Sequence, residues 1–295
     1  MNINFLKYRK IYFIFSGIII LVSLFFLYLF GLNPGIDFTG GSILEVEYTD
    51  QRPSNQEIKE KLKDFNLGDF YLQPTGEKGL ILKMKDIDQE TYQKIIQSLG
   101  QVKELSFESI GPTIGKELRE KTKLVIILSL FSMLIYIAFA FRQVSRPIKS
   151  WQYGIVAILI LSHDILIPLA VFSFLGKFYG VQITIPVIVA LLTVVGYAIN
   201  NVVVVFDRVR ETILKTRLET FEEIVNSSIN QTLTRQLNTS LTTLFPLLFI
   251  YFLGGETLKY FALALILGII AGTYSSIFLA GPILFSWYKM MFPKY

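Results

Sequence analysis

Apolar residues in this chain fall into long runs, not into the alternating or one-faced patterns of a water-soluble fold. A helix that crosses a bilayer needs about 20 predominantly apolar residues. Six stretches meet that demand: residues 11–30, 123–141, 153–175, 183–206, 234–253 and 258–284. The fifth begins polar and turns apolar only from Leu241, and the sixth is long enough to tilt. Between the first two runs the texture changes. Residues 42–49 alternate like a strand, and Ser54-x-x-Glu57 is a capping box that opens a helix through Phe65. Residues 69–74 and 80–85 read as strands around the turn glycines Gly76 and Gly79. Asp88 opens a second helix, Gly100 closes it after Leu99, and residues 102–109 give the last strand. That β-α-β-β-α-β order predicts a ferredoxin-like module. The expected fold is a polytopic α-helical membrane protein with six transmembrane helices and one α+β domain. Residues 1–30 form the amino terminus and first helix, 31–122 the ferredoxin-like extracytoplasmic domain, and 123–295 the remaining five helices.

Composition narrows the chemistry. With 52% hydrophobic and 17% charged residues and a mean hydropathy of +0.51, the chain is too apolar for a soluble globular protein. It has no cysteine, hence no disulfide and no thiolate metal site, and its single histidine excludes a His-rich metal site. The net charge of +5 is not a nucleic-acid signal, because the basic residues gather at the ends of the apolar runs. Lys7, Arg9 and Lys10, then Arg142, Arg146 and Lys149, then Arg208, Arg210, Lys215 and Arg217, and finally Lys289 and Lys294 all mark one side. The opposite short loops carry little beyond Lys177 and Lys259. Both termini are expected in the cytoplasm and residues 31–122 outside. Trp151, Trp287 and Tyr288 stand at predicted membrane boundaries. The first run is expected to be an uncleaved anchor, being longer than the 7–15 residues of a signal-peptide core.

Polar residues inside the runs are the candidate functional groups, since Arg, Lys or Asp at a helix centre costs about 2.5–3.5 kcal/mol on insertion scales. His163 and Asp164 lie about 20 Å along their helix from Trp151. Two readings stand: a titratable pair lining a wet crevice, with Asp164 loading and releasing a proton, or hydrogen-bonded helix packing with His163 paired to a carbonyl or Asn. Gln231, Arg235, Asn238 and Thr242 recur at steps of four, three and four, forming one stripe that has to face protein or water. Ser240 and Thr243 widen it. Arg235 keeps its charge at any pH and either holds a nearby carboxylate ionised or snorkels to the interface. Thr193, Tyr197 and Asn200 or Asn201 are spaced to share a face, with interhelical bonding the simpler role. Gly268 and Gly272 make a G-x-x-x-G step for close helix approach.

Several of these residues together resemble a known family. Gly35-Ile36-Asp37-Phe38-Thr39-Gly40-Gly41 resembles the signature box of the SecD and SecF export proteins. Ser162-His163-Asp164, Gly196-Tyr197-Ala198-Ile199-Asn200, Phe206-Asp207-Arg208-Val209-Arg210-Glu211, Arg235-Gln236-Leu237-Asn238-Thr239-Ser240 and Gly254-Gly255 are similar to SecF motifs, in order. The resemblance implies a half-unit of the RND architecture and a SecD partner. It also implies the Sec translocon channel and an unfolded preprotein as further partners. The implied work is not conventional enzymology: it is late-stage export driven by the proton or sodium motive force, with no cofactor beyond H+ or Na+. Arg235 takes the place of the family's functional arginine. Asn201 stands where the family usually carries an Asp, and an amide does not load a proton. Coupling is then left to a partner carboxylate, to Asp164 or to sodium. Gly35, Gly40 and Gly41 imply a permissive joint and Asp37 either a motif role or a turn cap. One charge crossing 100 mV releases about 2.3 kcal/mol, enough to bias a domain swing. Three rivals remain: an RND-type half-transporter of a small molecule or lipid, a structural assembly subunit without ion flux, and an intramembrane protease built on Asp164 and Asp207.

Overall fold

The computed structural model describes residues 3–140, 148–215 and 220–292. Arg142, Arg146, Arg217 and Lys294, four of the orientation charges, lie outside the described residues. The chain divides into two compact units, one comprising Met1–Leu32, Ile126–Val181 and Pro186–Tyr295, the other Asn33–Val125 with Gln182–Ile185.

The smaller unit holds α2 (Ile36–Thr39), β1 (Gly41–Tyr48), α3 (Asn55–Leu62), β2 (Tyr71–Thr75), β3 (Gly79–Met84), α4 (Gln89–Leu99) and β4 (Val102–Ile110). Its four strands form one antiparallel sheet in the order β2-β3-β1-β4. Alternation explains the layering: Leu44, Val46, Leu80 and Leu82 point to one face and are buried with Ile58 of α3 and Ile95 of α4. Glu45 and Glu47 take the other face. The expected second strand begins two residues later than its pattern, at Tyr71. Ser54 Oγ accepts the Glu57 amide at 3.3 Å, which is half of the expected capping box.

Asp88 caps α4 by accepting the Thr91 amide at 2.9 Å. Hydrogen bonds from Thr91 hold its carboxyl below the ordinary carboxylate range. A depressed group stabilises the fold above its unfolded value, and that contribution disappears as pH falls through the folded value. Acidification below about pH 4 is therefore expected to loosen the first turn of α4. Faster hydrogen exchange at the Thr91 amide reads this, and Asp88→Asn, which keeps the cap without the charge, is expected to flatten the dependence.

The larger unit is helical. Among the described residues, five stretches are long and apolar enough to cross a membrane: Leu6–Phe30, Ser150–Tyr179, Ile185–Lys215, Phe221–Leu253 and Leu258–Met291. They carry α1 (Arg9–Phe30), α6 (Ser150–Tyr179), α7 (Ile185–Lys215), α8 (Phe221–Leu253), α9 (Glu256–Ser275) and α10 (Gly281–Met291). A wide π-helical turn, Ser276–Ala280, joins the last two. The run expected at 123–141 lies on α5 (Pro112–Ala140), except Phe141, which lies outside the described residues. Helix α1 has inside-out polarity: Ser16 and Ser23 are buried while Ile14, Ile18, Leu21 and Phe25 are exposed. Lipid tails solvate the large apolar groups, and small residues allow close helix approach. Rings at Phe26 and Phe174, and at Phe30 and Phe178, pair one helical turn apart, so α1 and α6 run parallel. Trp151 and Trp287 meet edge to face at 5.4 Å.

Candidate functional site

The box at residues 35–41 is fastened within the smaller unit. The Gly35 amide donates to the Ile183 carbonyl at 2.8 Å, and the Ile183 amide donates to the Asn33 carbonyl at 2.7 Å. Asp37 does cap a backbone amide, but a distant one: its Oδ2 accepts the amide of Ile185, the first residue of α7, at 2.9 Å. Gly40 and Gly41 have φ of +74° and +132°, and a Cβ at Gly41 would sit 2.7 Å from the Met84 carbonyl oxygen. These two positions require glycine because of backbone sign and space. Gly35 is in ordinary extended geometry and is restricted only by its contact with Ile183 and Thr184.

Within the helical unit, buried polar side chains collect at one height. Asp164 is fully buried; its Oδ1 lies 2.9 Å from His163 Nδ1, and its Oδ2 accepts the Ser275 hydroxyl at 2.8 Å. The adjacent pair therefore bond each other, not a carbonyl or Asn on another helix. A Cβ at Gly268 would overlap the Val194 side chain, and one at Gly272 would touch Ala198 Cβ at 3.2 Å and Asp164 Oδ2 at 3.5 Å. Both glycine contacts keep the same offset, so α7 and α9 run parallel, and the next turn sets Asn201 level with Ser275. Asn201 is buried, and its Nδ2 has no protein partner among the described residues. Gln236 on α8 completes the layer, accepting the Ser276 hydroxyl at 2.5 Å and donating to Thr232 at 3.1 Å. Ser240 meets Thr273 at 2.5 Å and accepts the Tyr197 hydroxyl at 3.2 Å. On the α1 side, the Ser16 and Tyr274 hydroxyls lie 3.0 Å apart.

The expected polar stripe of α8 points the other way. Gln231, Arg235, Asn238 and Thr242 are all exposed, while the stripe one residue on, Thr232, Gln236 and Ser240, is buried. Arg235 and Asp164 are thus not brought together. Arg235 lines an open cleft of about 390 Å³ with Asp207, Arg208, Glu211 and Gln231, and it makes no ion pair among the described residues. Arg208 bridges this cleft, donating to Gln231 at 2.5 Å and pairing with Glu211. Asn200 is exposed and Asn201 buried, so the two neighbours, about 100° apart on α7, look in different directions. Thr193 shares the exposed face with Asn200, and Tyr197 turns partly inward.

Sequence reasoning missed Gln236, Ser275, Ser276 and Ser16 as members of the buried layer. Two signals were present: the second step-of-four stripe Thr232-Gln236-Ser240, and the polar cluster Thr273-Tyr274-Ser275-Ser276 inside an apolar run.

Comparison with known proteins accounts for the box and the helices together. The family model described as "Protein export membrane protein SecD/SecF, C-terminal" matches residues 91–290. The model described as "SecD/SecF GG Motif" matches residues 25–51, which contain the fastened box. Protein translocase subunit SecF of Thermobaculum terrenum is 39% identical, over 97% of this chain and 94% of that protein. Its counterpart in Anaerolinea thermophila is 38% identical, with the same coverage. Among solved structures, SecDF from Thermus, described as a translocon-associated membrane protein, superimposes with a TM-score of 0.85 at 32% identity. That match covers 97% of this chain, which spans only 39% of the SecDF chain. The glycine box, the ordered helices and the near full-length agreement lead to one conclusion: the chain belongs to the SecD/SecF family of protein export membrane proteins.

Proposed function

We propose that this chain is a SecF-type subunit of a preprotein translocase in a bacterial-type cytoplasmic membrane, and that it promotes the late steps of export. It crosses six times, α5 supplying the second crossing, with both termini in the cytoplasm. The smaller unit is then an extracytoplasmic ferredoxin-like domain. Its work is mechanical, biasing an emerging unfolded chain outward by drawing on a proton or sodium gradient, with no cofactor and no covalent chemistry.

The observation that carries this reading is the exposed stripe Gln231, Arg235, Asn238 and Thr242 on a spanning helix. Acyl chains do not solvate such a stripe, so protein or a water-filled seam has to cover it. A SecD-type partner is the fitting cover, because the solved relative SecDF is a single chain of which this one matches 39%. Arg235 in that seam is a fixed positive charge beside whatever carboxylate the partner presents. Asn201 supplies a hydrogen bond and no ionisable proton. The same amide favours a second reading, a subunit that holds the translocon together without ion flux.

Export of a secreted protein into inverted membrane vesicles, with and without this chain and its partner, separates the two. Ionophore treatment is expected to abolish the stimulation given by the wild-type chain, and Arg235→Ala is expected to abolish it as well. Stimulation that survives both treatments would establish the structural reading. No stimulation in any form would remove the chain from export.

A further inference from the structure

Asp164 is the only buried carboxylate among the described residues, and it lies at half the height of α6. Its neighbour His163 is buried too; Nδ1 faces the carboxylate, while Nε2 has no protein partner among the described residues. A buried polar atom without a partner is costly, and it persists where it has work to do. Other elements present only neutral groups to the pair. These are Ser275, bonded to the carboxylate, and Tyr274, whose ring lies 6.1 Å from the imidazole, both from α9; Ser16 of α1 bonds Tyr274 from behind, and Gln236 of α8 bonds the neighbouring Ser276. Arg235 faces outward, so no fixed cation holds the carboxylate ionised.

We propose that the His163–Asp164 pair, braced by Ser275, is the proton-carrying element of this chain, with His163 Nε2 as the atom that loads and releases the proton. This deepens the export reading and rests on it for what the proton drives. In the unloaded pair, neutral imidazole donates Nδ1–H to the carboxylate, and the net charge is −1. A proton bonding at Nε2 gives imidazolium and carboxylate, neutral in sum. Passing the Nδ1 proton to Oδ1 gives imidazole and carboxylic acid, also neutral. Release from Nε2 reverses these steps. The loaded pair is the form a low-dielectric interior tolerates, so unloading requires water to reach Nε2. Asn201, level with Ser275, donates to an incoming water from the α7 side but carries no proton itself.

The chain has one histidine, so its imidazole is observable without ambiguity. Nitrogen NMR of the full-length chain in lipid vesicles across a pH series is expected to show Nε2 gaining a proton as pH falls, with the second proton shared between Nδ1 and the Asp164 carboxylate. Asp164→Asn is expected to weaken proton binding at the imidazole about tenfold or more. Ser275→Ala, which keeps both titrating groups and guards against a folding loss in the first variant, is expected to strengthen it. An Nε2 that stays in one state from acid to alkaline pH, or a midpoint that neither variant moves, would overturn the proposal. The measurement needs no preprotein, so a titrating pair in a chain that fails to stimulate export upholds the proton assignment and removes only the export reading.

Discussion

Asp164→Ala is expected to cost the helical unit about 1–3 kcal/mol, the penalty for a buried donor left without an acceptor. His163 Nδ1 loses its partner, while the Ser275 hydroxyl, also buried, keeps the Gly272 carbonyl as an acceptor at 3.2 Å. The loss should appear as a lower unfolding midpoint for the chain in lipid, with loss of gradient-dependent export. Asp164→Asn keeps an acceptor oxygen and removes the charge, so it should recover most of the midpoint and none of the gradient dependence. An unchanged midpoint in the alanine variant would mean that the carboxylate does not anchor α6 to α9.

The second large effect is expected where α7 crosses α9. A Cβ at Gly268 would overlap the Val194 side chain, so Gly268→Ala should cost about 1–3 kcal/mol, and Gly268→Leu more. Val194→Ala combined with Gly268→Ala should be more stable than Gly268→Ala alone, since it removes the methyl groups that collide. Additive losses in that pair would show that Gly268 matters for some reason other than this crossing.

Much of this architecture is readable from residue pattern. The caps at Ser54 and Asp88, the strand alternation that buries Leu44 and Val46, and the apolar length of the helices are local properties, and locally encoded structure is legible. The box at residues 35–41 was recognisable, but its fastening was not, because Asp37 reaches an amide 148 residues away. The same limit applies to α8. Period alone identifies two polar stripes, Gln231-Arg235-Asn238 and Thr232-Gln236-Ser240, without saying which one faces inward. Arg235 is the only charge in these two stripes, and burying an obligate cation is the expensive choice, so Gln236 turns inward with Ser276 as its partner. Asn200 and Asn201 pose the same problem, and only packing against α9 decides between them.

The π-helical turn at Ser276–Ala280 has a consequence for movement. A helix that loops wide by one residue holds spare backbone at that level, directly beyond the hydroxyl that braces Asp164. Trading the wide hydrogen bonds for regular ones would turn the segment Gly281–Met291 by about 100° relative to α9, the angle of one helical residue. The bundle thus carries built-in slack next to its most tightly held acid.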